Sequence, residues 1–131
     1  MRFLIDTNIF LEVLLNQERT LEAQLFLQKS DIYELFMSDF SLHSIALILL
    51  RSKAFDLLER FLADTVMAGS VCVLGISPDS LTDVVAAARR YHLDFDDAYQ
   101  YVLAEEQNLP IISFDADFDK TPRGRQLPGS F

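Results

Sequence analysis

The stretch Arg2-Phe3-Leu4-Ile5-Asp6-Thr7-Asn8 is an apolar run that stops abruptly at a carboxylate, a hydroxyl and an amide. A short run of this kind reads as a buried strand, and Asp6 then stands at the strand's carboxyl end. Open α/β sheets keep their binding sites at that edge. The pattern returns late in the chain, where Pro110-Ile111-Ile112-Ser113-Phe114 breaks at Asp115-Ala116-Asp117. Two strands that each end in an acid are the first indication of function.

Between these two runs the periodicity alternates. Ile9, Phe10, Val13 and Leu14 fall at helical spacing, as do the apolar residues of Thr20 to Lys29. Glu34 to Met37 reads as a weak strand, with Ser38-Asp39 capping a following helix, Phe40 to Leu50, that is apolar on most faces and expected to be well buried. Ala54 to Met67 reads as an amphipathic helix stopped by Gly69. Ser70 to Gly75 is a third apolar strand, and Ser77-Pro78 starts a helix that continues through Leu81 to Tyr91. Phe95 to Gln107 is one more helix, leading into the Pro110 strand. Strands spaced by helices imply an α/β class with a mostly parallel central sheet.

The chain has 131 residues, half of them apolar, and reads as one domain over residues 1–131 with an irregular tail from about 119 to 131. A chain of this length buries about two thirds of its unfolded surface. No apolar run approaches the ~20 residues that span a bilayer, and Asp6 interrupts the start before a secretory signal can form, so a soluble, cytoplasmic protein is expected. The single cysteine, Cys72, lies within Val71-Cys72-Val73-Leu74 and reads as a small buried hydrophobe.

The net charge of −9 argues against nucleic-acid binding by bulk electrostatics. The distribution is more informative. Asp94, Asp96, Asp97, Glu105, Glu106, Asp115, Asp117 and Asp119 occur with no Lys or Arg among them, and Lys120, Arg123 and Arg125 follow directly. An acidic site beside a small basic flap attracts a divalent cation and leaves a phosphate something to touch. Carboxylates at two strand ends and one helix start (Asp6, Asp97, Asp115) repel one another unless a cation lies between them. All-oxygen donors without a His or Cys pair select a hard ion, Mg²⁺ or Mn²⁺, which can activate water and stabilise in-line displacement at phosphorus.

Each acid also has a plainer role: Asp6 as a cap or turn residue, Asp96 and Asp97 as dipole partners in a first helical turn, and Asp115-Ala116-Asp117 as an ordinary turn with Asp117 capping a short helix. Tyr91, Tyr99 and Tyr101 at helical spacing read as packing before base stacking. His92 reads as a helix C-terminal partner.

Asp6-Thr7-Asn8 after an initial strand, Asp97-Ala98 at a helix start, and Ser113-Phe114-Asp115-Ala116-Asp117-Phe118 after the last core strand resemble the PIN-domain family, in order and over essentially the whole chain. The resemblance implies a Rossmann-like three-layer α/β/α sandwich. It also implies metal-dependent cleavage of single-stranded RNA, as in the toxin halves of VapC-type toxin–antitoxin pairs, with an antitoxin protein and a homodimer as partners. By the same resemblance Asp6, Asp97 and Asp115 hold the metal, Asp117 assists, and Asn8 and Ser113 fix the geometry by hydrogen bonding. Lys120, Arg123 and Arg125 are then the candidate RNA phosphate contacts.

One departure stands out. The family places a Glu in the central helix six residues after the Ser that ends the second strand; here that Ser is Ser38, and Ser44 occupies the acid's position. A site short of one carboxylate holds metal more weakly and has room for one ion rather than two, which leaves a second reading: a PIN-like module that binds RNA or protein without efficient cleavage. His43 cannot face the same way as Ser44, because adjacent helix positions diverge by about 100°.

Overall fold

Strand β1 (Arg2–Ile5) lies between β2 (Glu34–Ser38) and β4 (Ile111–Ile112), and β3 (Val71–Leu74) pairs with the outer side of β2. The order is therefore β3-β2-β1-β4, with every pair parallel. The computed structural model describes residues Met1 to Phe131. Parallel pairing obliges each connection to cross a face of the sheet, and the helices do so. Helices α1 (Thr7–Leu14) and α2 (Thr20–Leu27) join β1 to β2. Helices α3 (Asp39–Arg51) and α4 (Phe55–Phe61) join β2 to β3, and α5 (Leu81–Tyr91) and α6 (Phe95–Gln107) join β3 to β4.

Side chains alternate across β1. Phe3 and Ile5 enter a core shared with Phe10, Phe26, Ile45 and Phe61, whereas Leu4 faces Val84, Leu103 and Ile111. These two cores, one with α1 to α4 and one with α5 and α6, make the predicted α/β/α sandwich. Because β2 and β3 run outward on one side of β1 and β4 sits on the other, the chain reverses direction between β1 and β4. Such a reversal opens a crevice at the carboxyl ends of the two strands. Asp6 and Ser113 follow those ends.

Several local expectations change. Helix α3 buries only the stripe Ser41, Ile45 and Leu49, and Leu47 (51%) and Leu50 (45%) are exposed, because the helix lies on the sheet with one face rather than inside a second layer. The helix predicted from Ala54 to Met67 is α-helical only to Phe61, and Leu62–Met67 is a π-helical turn. Cys72 is exposed, not buried: β3 is an edge strand, and Val71 takes its core-facing side. Pro78–Ser80 forms a 3₁₀ turn ahead of α5. The tail is better ordered than its composition implies. Gln126 pairs with Ile112 alongside β4, a 3₁₀ turn covers Pro128–Ser130, and the Phe131 ring packs on Phe3 at 4.9 Å. No helix is long and apolar enough to cross a membrane.

Candidate metal centre

Asp6 is the residue at which β1 turns into α1. It is 4% exposed, and its carboxylate accepts four hydrogen bonds. Oδ1 takes the Thr7 N–H and the Gln100 Nε2–H, both at 2.7 Å. Oδ2 takes the Ser113 Oγ–H at 2.6 Å and the Asn8 Nδ2–H at 3.1 Å. Burial raises the Asp6 pKa above the usual carboxylate value, opposed by the bonds from Ser113, Gln100 and Thr7.

Asn8 and Ser113 join the two strand ends. The Asn8 amide also donates to Ser113 Oγ at 3.3 Å, and its oxygen accepts the Phe114 N–H. Ser113 Oγ accepts the Asp115 N–H at 2.8 Å, and Asp115 accepts the Asp117 N–H at 2.8 Å, so Asp115 rather than Asp117 caps the 3₁₀ turn Ala116–Lys120. The backbone of Asp115 is thus positioned by a hydroxyl that itself bonds Asp6, and Asp115 in turn fixes the backbone of Asp117. On the other side, Thr7 Oγ1 donates to Ser41 Oγ at 2.7 Å, and Ser38 Oγ donates to the same oxygen at 3.0 Å. This hydroxyl chain ties α1 to the start of α3.

Asp97, in the first turn of α6, meets Asp115 and Asp117 from above: the three offer carboxylate oxygens within 4.8 Å of one another. Asp6 lies outside that trio but lines the same cavity of about 330 Å³ with Asp97, Asp115, Asp96 and Ser44. Ser44 faces the position expected for it, and no acid accompanies it from α3; His43 is exposed. Burial, with the neighbouring charges of Asp96, Asp6 and Asp115, pushes Asp97 up to about 8. Acids crowded in this way hold a proton until a cation replaces it. The donor set, carboxylates with serine and amide oxygens nearby, suits a hard divalent ion.

The basic residues divide. Lys120 Nζ lies 3.2 Å from Asp117 Oδ1, at the cluster itself. Arg125 pairs with Asp119 at 3.3 Å and reaches the Ser113 carbonyl. Arg123 is held by Glu105 at 2.8 Å and by the Leu109 carbonyl, at the amino-terminal side of β4 and so at the far end of the sheet from the cavity. The tyrosines pack: Tyr91 and Tyr101 meet edge to face at 5.3 Å, and Tyr99 donates to Asp39 at 2.7 Å. His92 ends α5 in a left-handed conformation, its carbonyl accepting from Lys120.

Three residues at the site escape a reading by motif. Gln100 follows from helix geometry once Asp97 is placed, since positions three apart share a face, and Asp96 lies one turn before Gln100. Arg19, whose guanidinium lies 3.9 Å over the Phe114 ring, has no sequence signal at all.

The PIN domain family model matches residues 3–124. Among solved structures, a toxin–antitoxin complex from Klebsiella pneumoniae aligns with a TM-score of 0.70 at 25% identity, covering 96% of this chain and 97% of that one. VapBC2 from Rickettsia felis, crystallised with a DNA fragment from its promoter, aligns with a TM-score of 0.74 at 13% identity, covering 95% and 96%. No curated protein sequence matches. With the family model spanning nearly the whole chain and both strand-end motifs in place at the sheet's point of reversal, the chain belongs to the PIN domain family.

Proposed function

We infer that the chain is a divalent-metal-dependent endoribonuclease that hydrolyses single-stranded RNA, the toxin component of a toxin–antitoxin pair. The observation that carries this is the trio Asp97, Asp115 and Asp117, with oxygens within 4.8 Å, two of which, Asp97 and Asp115, line one cavity with Asp6. Those four residues would hold Mg²⁺ or Mn²⁺. The ion supplies Lewis-acid polarisation of the phosphodiester and a water of lowered pKa.

The chain's own residues supply the rest. Ser113 and Asn8 both donate to the Asp6 carboxylate, and Ser113 Oγ also accepts the Asp115 backbone N–H, so one hydroxyl positions both strand-end acids. Lys120 neutralises part of the charge on Asp117 and is the basic side chain best placed to meet a phosphate. Arg125 and Arg19 stand nearby, the latter half-exposed beside Phe114. Arg123 serves the fold instead.

Two apolar surfaces support protein partners. A groove of about 530 Å³ between α1, α2 and α4, floored by Phe10, Leu14, Leu27 and Phe61, fits an apolar segment of an antitoxin. Leu47, Leu50 and Phe55, exposed on α3 and α4, support a homodimer.

The test is cleavage of a single-stranded RNA by wild type and Asp97→Asn with Mn²⁺ and with EDTA. Cleavage by the wild type that both EDTA and the substitution abolish is expected. Equal cleavage by both proteins, or cleavage that survives EDTA, overturns the assignment.

A further inference from the structure

Gln100 sits on α6 one turn beyond Asp97, and its side chain is fully buried. Its Nε2 donates to Asp6 Oδ1 at 2.7 Å, and its Oε1 is the one buried side-chain polar atom in the chain with no hydrogen-bond partner. An orphan of this kind destabilises the fold, and a leucine at position 100 would avoid it. A buried group with one satisfied end and one empty end points to a second state in which the empty end is used.

The carboxylate of Asp6 identifies that state. An ionised carboxylate has about four acceptor positions, and Thr7, Gln100, Ser113 and Asn8 fill them all. An ion that binds Asp6 must therefore displace a donor. The Thr7 N–H is backbone at the start of α1, and the Ser113 and Asn8 side chains are each tied into further bonds. Gln100 makes this one side-chain bond only. Its orientation is fixed by charge: N–H toward a bare carboxylate, and carbonyl oxygen toward the same place once a cation is there.

We propose that Gln100 is a positioning residue of the ion site with two settings. Its amide N–H holds Asp6 while no ion is bound, and it yields that oxygen to a bound divalent cation by turning its amide oxygen toward the positive charge. The proposal rests on the reading of Asp6, Asp97, Asp115 and Asp117 as a metal centre. It goes beyond that reading by assigning a neutral side chain that senses occupancy.

The test is side-chain amide NMR of the ¹⁵N-labelled full chain titrated with MgCl₂, the Gln100 resonances being identified by their absence in Gln100→Leu, or in Gln100→Met should the first not fold. The expected result is a proton shifted downfield by its carboxylate acceptor in the ion-free chain that moves upfield as Mg²⁺ is added, with the same midpoint as the backbone amides of Asp97 and Asp115. Backbone signals that respond to Mg²⁺ while the Gln100 proton stays or moves downfield overturn the proposal and leave the metal centre standing. Backbone signals that never respond overturn both.

Discussion

Replacing Asp97 with Asn in the ion-free chain tests whether the cluster is a store of charge repulsion. Burial, then Asp96, Asp6 and Asp115, raise the Asp97 pKa from 3.8 to about 8. An acid raised by folding favours the folded state only while it keeps its proton. Its contribution is complete below 3.8 and is lost as pH rises towards about 8. Within that window each pH unit costs about 1.4 kcal/mol, or roughly 4 kcal/mol by pH 7 for an isolated group. Neighbouring acids share protons and the cavity admits water, so about half, ~2 kcal/mol, is the expected net. Asn keeps the shape and never ionises. EDTA-treated Asp97→Asn should therefore melt roughly 8 °C above the wild type at pH 8, with the gap narrowing to about a third of that by pH 5. Thermal unfolding of both proteins from pH 5 to 8.5 measures it. A difference that is constant across pH, or a wild type that is the more stable throughout, refutes the account of charge crowding.

Ser44→Glu restores an acid to the cavity wall and should tighten Mn²⁺ binding by about tenfold, ~1.4 kcal/mol, in isothermal titration; unchanged affinity would mean that position 44 does not reach the ion. Gly75→Ala places a Cβ 2.8 Å from Asp39 Oδ2, while Asp39 Oδ1 is pinned by Tyr99 and the Phe40 N–H. Urea unfolding should show a loss of about 1–2 kcal/mol, and no loss would show that Asp39 swings freely. Arg123→Ala removes contacts to Glu105 and Leu109 but none at the cavity. It should cost about 1 kcal/mol of stability and leave the RNA cleavage rate unchanged, whereas a slowed rate would place Arg123 on the substrate path.

The strand ends were legible because an apolar run that halts at Asp is a local signal, and both strands flanking the sheet's reversal carry it. Strand order is not local, and the errors follow from that. Cys72 sits in as apolar a tetrapeptide as Ile5 does, yet β3 is an edge strand and β1 is central. In α3, an apolar face that packs cannot be told from one left for a partner until the sheet beneath is known, so Leu47 and Leu50 looked like core. Arg123 read as a phosphate contact because its acid, Glu105, lies far back along the chain, whereas the pairing of Lys120 with Asp117, one turn back, is local. Gln100 was hidden for another reason. A polar residue in a helix reads as its solvent face, and α6 from Asp97 to Ala104 has no solvent face.

That burial bears on the acid missing from α3. At the cavity α3 presents Ser44, and at its first turn Ser41 joins Thr7 and Ser38 in a chain of neutral hydroxyls. Helix α6 presents Asp96 and Asp97 there and holds Asp6 from behind through Gln100, so the polar load of the centre lies on the helix that also anchors the second core. A divalent ion faced by one carboxylate fewer keeps more of its charge uncompensated. Metal affinity falls as a result, while attraction for an anionic phosphodiester rises, since both follow the same Coulomb sum with opposite sign. The Ser44→Glu variant separates these two effects. Tighter Mn²⁺ binding accompanied by a higher KM for RNA is the outcome this balance requires, and tighter binding of both ion and RNA would show that the missing acid is a plain loss.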